Sequence, residues 1–208
     1  MGLLARLFGL EGTPQDAAGD ADASEVSPGD RPPPRDAPAS SVLAPGYLEA
    51  RERTLRLSPV DLGVDQAGGP VVGGVVMDLG TASGIVTLVA LRAGTAAIHR
   101  SDGTSTSSAT DPGVVAATAA LLAQAEADRE LFEVSDDTAL PDIGYAAVRL
   151  LTSDGPRVAA AAQGALSLRR RQAWRVYAAA HEVLAALDRL ERQAPQDVAG
   201  GGSVSPRP

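Results

Sequence analysis

Residues Val71 to Arg100 read VVGGVVMDLGTASGIVTLVALRAGTAAIHR, the densest apolar and β-branched run in the chain. Successive side chains of a strand point to opposite faces. The first part of the run therefore sets Val71, Val75, Met77 and Leu79 on one face and Val72, Val76 and Asp78 on the other. The second part sets Ile85, Thr87, Val89 and Leu91 against Val86, Leu88 and Ala90. A half-exposed antiparallel strand should alternate apolar with polar, and neither part does, so both strands are expected to be covered on two sides. Arg92-Ala93-Gly94 supplies a tight turn into a third strand, Thr95 to Arg100, which Ser101-Asp102-Gly103 ends. The run holds no nucleophile beside a base, no metal-ligand spacing and no phosphate loop. It reads as scaffold.

Downstream, Thr104 to Thr110 is a Ser/Thr-rich loop, and Asp111-Pro112 marks a helix start as N-cap and first position. That helix is expected to reach about Glu133, with Val114, Val115, Thr118, Leu121, Leu122, Ala125 and Phe132 inward and Gln124, Asp128 and Glu130 toward water. A second hairpin follows: Ile143 to Thr152, the turn Ser153-Asp154-Gly155, and Arg157 to about Ala162. The last helix, Arg170 to Arg192, stacks Val176, Tyr177, Ala180, Val183, Leu184, Leu187 and Leu190 on one face. Upstream, Tyr47 to Leu57 is either a short helix or ends in a strand. Ser58-Pro59 with Asp61 caps a brief helical turn. The order β-β-β-α-β-β-α predicts an α+β fold: a five-stranded antiparallel sheet carrying two long amphipathic helices.

The 208 residues fit one domain, taken as 45–192, with tails on either side. Aromatics make up only 3%, so the core must be built from Val, Leu, Ile and Ala. Residues 1–10, MGLLARLFGL, put Leu3, Leu4, Leu7 and Phe8 at helical spacing and predict a short amphipathic helix. The stretch is too short to span a bilayer and lacks a signal-peptide layout. Residues 11–44, acidic and Pro-rich, cannot bury enough apolar surface to offset chain entropy and are expected to be a disordered linker. Residues 193–208 are expected to be a disordered tail.

Several chemistries drop out on residue content. There is no cysteine, so disulfides and thiolate sites are absent, and no lysine, so a phosphate-binding P-loop is absent. The lack of both Lys and Asn, with abundant Ala, Gly and Pro, suggests a GC-rich bacterial genome. The net charge is −8. Segment 11–40 holds seven acids against two arginines, a balance of −5, and residues 45–192 hold 18 acids against 14 arginines, a balance of −4. A mildly acidic body does not suit nucleic acid or anionic membrane, and no nucleic-acid partner is expected.

The two histidines, His99 and His181, have no serine placed beside them by any elbow motif, and both read as core or surface residues. Glu126, Asp128, Glu130 and Glu133 fit a solvated helix face, and Asp136, Asp137 and Asp142 lack the spacing of a calcium loop. No metal, cofactor or catalytic residue is assigned. The densest basic feature is Arg169, Arg170, Arg171 and Arg175 around Trp174, residue types that dominate interface hot spots. These five, with Leu3, Leu4, Leu7 and Phe8, are the candidate interaction residues.

The runs GGVVMDLG, TLVALRAGTAAIHRSDG and WRVYAAAHEVLAAL resemble a family of uncharacterised bacterial α+β proteins over approximately residues 55–192. That resemblance implies the strand–hairpin–helix core and no site residue. The element order is loosely similar to the roadblock, longin and profilin-like layer folds, which serve as dimerising platforms. Architecture of this kind does not imply function.

The reading that follows is a non-catalytic protein–protein interaction or scaffold module of a bacterial cytoplasmic assembly. It forms a homo-oligomer, is tethered by its N-terminal helix, and makes weak membrane-surface contact, if any, through residues 1–10. Two alternatives stand beside it. One is a small ligand-binding or hydrolytic enzyme using the 101–113 loop with His99, and the other is an immunity or defence-associated protein.

Overall fold

A computed structural model describes residues 43–64, 69–166 and 173–193. The three strands read in Val71–Arg100 are β1 (Val72–Thr81), β2 (Gly84–Leu91) and β3 (Ala96–Arg100). They are preceded by α1 (Pro45–Leu55) and followed by β4 (Ser105–Ser108) and α2 (Pro112–Ala127). A 3-10 turn at Arg129–Leu131 leads to β5 (Glu133–Val134), then β6 (Tyr145–Thr152), β7 (Arg157–Ala162), α3 (Gln163–Leu166) and α4 (Trp174–Gln193). The fold is α+β. Its sheet is antiparallel throughout, in the order β4-β3-β2-β1-β6-β7-β5.

The sheet has seven strands rather than five, and the described residues form four helices rather than two. Both additional strands lie at edges. Ser105–Ser108 was expected as loop because its residues are all small and polar, but β4 pairs with β3 from Ala96↔Ser108 to His99↔Ser105. A single-sided edge pairing needs no apolar signal of its own. Glu133–Val134 was expected as helix end. Instead α2 stops at Ala127, because Asp128 leaves helical geometry with φ −104° and ψ 6°, and two residues then pair with Arg157 and Val158. The last helix also starts later than expected, at Trp174. Ala173 before it holds φ 64°, a left-handed conformation that cannot continue a right-handed helix.

Local chemistry accounts for much of the rest. Asp111 caps α2 by accepting from the Val114 N–H at 2.9 Å, with Pro112 at the first helical position. Gly94, at φ 84°, and Gly155, at φ 116°, take the left-handed turn positions of the two expected hairpins. Ser58 and Asp61 cap each other: the Ser58 N–H and hydroxyl donate to Asp61 at 2.9 and 2.6 Å, and the Asp61 N–H donates back at 3.3 Å. This pair holds the Asp61 carboxyl below its usual pKa.

Asp78, Thr87 and Arg149 sit on one face of the sheet. α2 and α4 pack together on the opposite face, over Val75, Met77, Leu79, Leu88, Ile98, Val148 and Leu150, all buried. Val72 was expected beside Val76 and Asp78. A bulge at Gly73 shifts the register, so Val72 pairs with Thr152 and falls on the face of Val75. Gly73 also makes room for the capped turn, since a Cβ there would lie 2.6 Å from Leu62 Cβ.

The second face is covered by the chain itself. Leu62 and Val64 from the capped turn pack with Val76 and Leu151, and Leu55, Leu57, Val71 and Leu91 close around them. Farther along that face lie α1 and the segment from 137 to 142, and Gly80 permits the close approach of the latter. A Cβ on Gly80 would stand 2.0 Å from the Asp142 carbonyl oxygen. Of the two strands expected to be buried on both sides, β1 is buried along its whole length and β2 over Thr87 to Ala90, with its ends only partly buried.

Candidate functional site

A charge in the middle of an apolar strand must find a counter-charge or not be there. Asp78 is fully buried in β1, and its partners come from three directions. Arg51 of α1 reaches it with Nε 3.2 and 3.3 Å from the two carboxylate oxygens and Nη2 2.7 Å from Oδ2. Arg149 of β6 donates from Nη1 to the same Oδ2. Thr87, the cross-strand neighbour on β2, donates its hydroxyl to Oδ1 at 2.6 Å. That spends the single Thr87 proton, so the Tyr47 hydroxyl, 2.9 Å away, is the donor to Thr87.

Other guanidinium donors go to carbonyls of the 137–139 segment. Arg51 Nη2 donates to Thr138 O at 2.8 Å. Arg149 donates from Nε to Asp137 O at 2.9 Å and from Nη2 to Ala139 O at 2.5 Å. Tyr47, Asp78, Thr87, Arg51 and Arg149 are all buried. Burial pulls the Arg149 pKa down while Asp78 pulls it back up, and burial raises that of the Tyr47 hydroxyl.

Chemically this is a positioning cluster. Arginine does not give up its proton near neutral pH, Asp78 is saturated with donors, and the group is closed to solvent. It joins α1, three central strands and the 137–139 segment at one point. Its members are separated in sequence by 27 residues between Arg51 and Asp78 and by 71 between Asp78 and Arg149.

The histidines stand on opposite sides of the sheet. His99 pairs with Thr87 on one side and Ser105 on the other, half-buried, and burial lowers its pKa. Ser105 is the serine nearest to it in register, and among the described residues no hydrogen bond joins the two. The 101–113 segment is a β-hairpin followed by a helix cap: Arg100 N–H donates to Thr104 O at 2.9 Å, and Asp111 already occupies the α2 N-terminus. His181 lies on α4 with its ring edge-on to Tyr177, centroids 4.5 Å apart, and burial pushes its pKa down to about 4.

Of the candidate interaction residues, Leu3, Leu4, Leu7, Phe8, Arg169, Arg170 and Arg171 lie outside the described residues, as do most of the 11–44 linker and the tail beyond Gln193. Trp174 is half-buried at the start of α4. Arg175 turns back on its own domain. Its Nε donates to buried Asp128 at 3.1 Å, and Gln124 donates to the same carboxylate at 2.8 Å, tying the start of α4 to the end of α2. Asp128 is therefore not on the wet side of the helix. Asp137 accepts from the Ala139 N–H at 2.8 Å and shapes the segment over Arg149. Among the described residues no three His, Cys, Asp or Glu side chains are grouped to hold a metal ion.

Sequence reasoning assigned no role to Asp78, Arg51, Arg149, Tyr47 or Thr87. One signal was present: Asp78 is the lone charge between Val71 and Leu91, and a chain without lysine can neutralise it only with arginine or histidine. No protein-family model, curated protein or solved structure matches this chain.

Proposed function

We propose that the protein is a non-catalytic interaction module that self-associates through α2 and serves as a scaffold in a bacterial cytoplasmic assembly. The observation that carries this reading is the outer side of α2. Val114, Thr118, Leu121 and Ala125 are buried, while the residues left in water from Ala116 to Ala123 are Ala116, Ala119, Ala120 and Ala123. A surface helix normally turns charge to solvent, and one that is apolar all round belongs in an interior. Glu126, in the last turn, is the one charged residue of α2 on that exposed side. Alanines at four-residue spacing, Ala116–Ala120 and Ala119–Ala123, let a second helix approach closely. An uncharged row of this kind is also self-complementary across a two-fold axis.

Other observations agree with this choice. The 101–113 segment is taken up by the pairing of β4 with β3 and by Asp111 capping α2, which favours a scaffold over a hydrolytic use of it. Among the described residues no helix is long and apolar enough to cross a membrane.

Light scattering on the full chain at a concentration on the order of tens of micromolar tests the reading, because interfaces of modest area dissociate in that range. A dimer that becomes a monomer on Ala120→Glu, with an unchanged circular dichroism spectrum, supports it. A strict monomer, or a dimer indifferent to Ala120→Glu and Ala123→Arg, overturns it.

A further inference from the structure

α1 is held differently at its two ends. Its sequence, PGYLEARERTL, buries only Tyr47 and Arg51, one turn apart, so a single narrow face meets the sheet. At its C-terminal end Leu55 and the following Leu57 pack into the apolar cluster of Leu62, Val64, Val76 and Leu151. Its N-terminal two turns bury the Tyr47 ring and are otherwise held by polar links. The Ala44 N–H donates to Ser101 O at 2.8 Å, Tyr47 donates to Thr87, and Arg51 grips Asp78 and Thr138 O. One end packs into an aliphatic cluster, and the other combines one buried ring with a set of directional bonds.

The two arginines on Asp78 are not equivalent. Arg149 belongs to the sheet, and all its partners, Asp78 and the carbonyls of Asp137 and Ala139, stay with the body of the domain. Arg51 arrives on α1. With α1 in place, two guanidinium groups share one buried carboxylate and repel each other, with the Asp137 carboxylate acting on Arg149 from farther off. With α1 lifted, Asp78 keeps Arg149 and Thr87 in a one-to-one pair, and Arg51 regains water. Breaking a buried ion pair normally strands a charge. Here it strands none.

We propose that α1 is a strap, hinged at Leu55–Leu57 and latched by Arg51 on Asp78, that opens as a unit while the sheet remains folded. The latch end is the end at which the chain arrives from residues 1–42, so any load on that segment falls first on Ala44, Tyr47 and Arg51. Opening uncovers Thr87 and the Asp78–Arg149 pair and exposes the Tyr47 ring. Low-stability units of this type exchange their amides by local opening, ahead of global unfolding. The strap does not depend on self-association through α2 and stands or falls separately.

Hydrogen exchange followed by mass spectrometry on the full chain tests it. In the unmodified protein, amides of residues 47–54 are expected to exchange about tenfold or more faster than those of β1 and β6, through an opening smaller than global unfolding. Arg51→Ala is expected to speed exchange in residues 47–54 further and leave β1 and β6 as they were. Arg149→Met is expected to speed both, because it removes a ligand of Asp78 that belongs to the body. If residues 47–54 and β1 exchange together in the unmodified protein, or if Arg51→Ala speeds the sheet as much as the helix, α1 is an integral part of the core and the strap is wrong. The comparison within the unmodified protein decides the question even where a variant fails to fold.

Discussion

Asp78 and Arg149 meet diagonally across neighbouring strands: Asp78 is paired in register with Ala147 and Arg149 with Val76, and the guanidinium of Arg149 reaches along the sheet to the carboxylate. The diagonal leaves the position directly across from Asp78 on β6 to a small alanine. The second guanidinium, from Arg51, reaches the same carboxylate from α1. A five-residue polar group is thereby fitted into the middle of the sheet, beside Val76 and Val89.

Removing the charge at its centre should be severe. Asp78→Asn leaves two buried guanidinium groups without a counter-ion and is expected to destabilise the fold by about 3–5 kcal/mol. Urea unfolding of the two proteins, compared at equal slope, measures this. A loss below about 1 kcal/mol would mean that water reaches the cluster and screens it.

Two glycines separate a steric requirement from mere tolerance. Gly80→Ala would drive a Cβ to 2.0 Å from the Asp142 carbonyl oxygen, which is backbone and cannot swing aside. The expected cost is about 2–4 kcal/mol, with the 137–142 segment lifted from the sheet. Gly46→Ala in the first turn of α1 meets nothing within 4 Å and should be neutral or stabilising by up to about 1 kcal/mol. The reverse order in thermal melts would contradict the close approach at Gly80.

Arg175 gives a test of intramolecular against intermolecular use. Arg175→Ala leaves the buried Asp128 with Gln124 as its remaining side-chain donor. It should cost about 1–2 kcal/mol of stability, a figure kept low because half of the Arg175 side chain is exposed and screened. Unfolding curves on the variant measure it. A stability loss near zero would return Arg175 to the role of a free surface cation.

Stability should also fall in mild acid because of His181. Burial lowers its folded pKa from 6.5 to about 4, so the folded state holds the neutral ring more strongly than the unfolded chain does. The stability this gives is fully present above pH 6.5 and is lost as pH falls from 6.5 toward 4, where the unfolded chain binds the extra proton. The upper limit is about 3 kcal/mol. Denaturation midpoints of the unmodified protein and of His181→Gln, taken between those pH values, should converge as the pH falls. Parallel curves would show that the ring is not held neutral.

Legibility followed the range of the interaction that decides each feature. Asp111-Pro112, the Gly94 and Gly155 turns, the Ser58–Asp61 cap and the inward stripe of α4 are settled by residues within a turn of one another, and all were readable. The start of α4 was misread because the left-handed Ala173 carries no sequence mark: alanine is the strongest helix former, and only its surroundings force it out of the helix. β4 escaped because a polar edge strand lacks the hydrophobic pattern by which strands are recognised, and β5 because two residues are too few to show a period. The wet side assigned to α2 was wrong at Asp128, since helical periodicity reports which residues share a face and cannot report that a distant Arg175 has turned one of them inward.

The sequence by itself determined that the Val71–Arg100 run is a doubly covered scaffold of strands and hairpins, because side-chain alternation and turn chemistry act over a few residues. Only the tertiary structure decided what covers the second face and what neutralises Asp78. Arg51 and Arg149 stand 27 and 71 residues away from it along the chain, and burial turns a charge into a demand for a partner without naming one. The packing of α1 and β6 against β1 supplies the name.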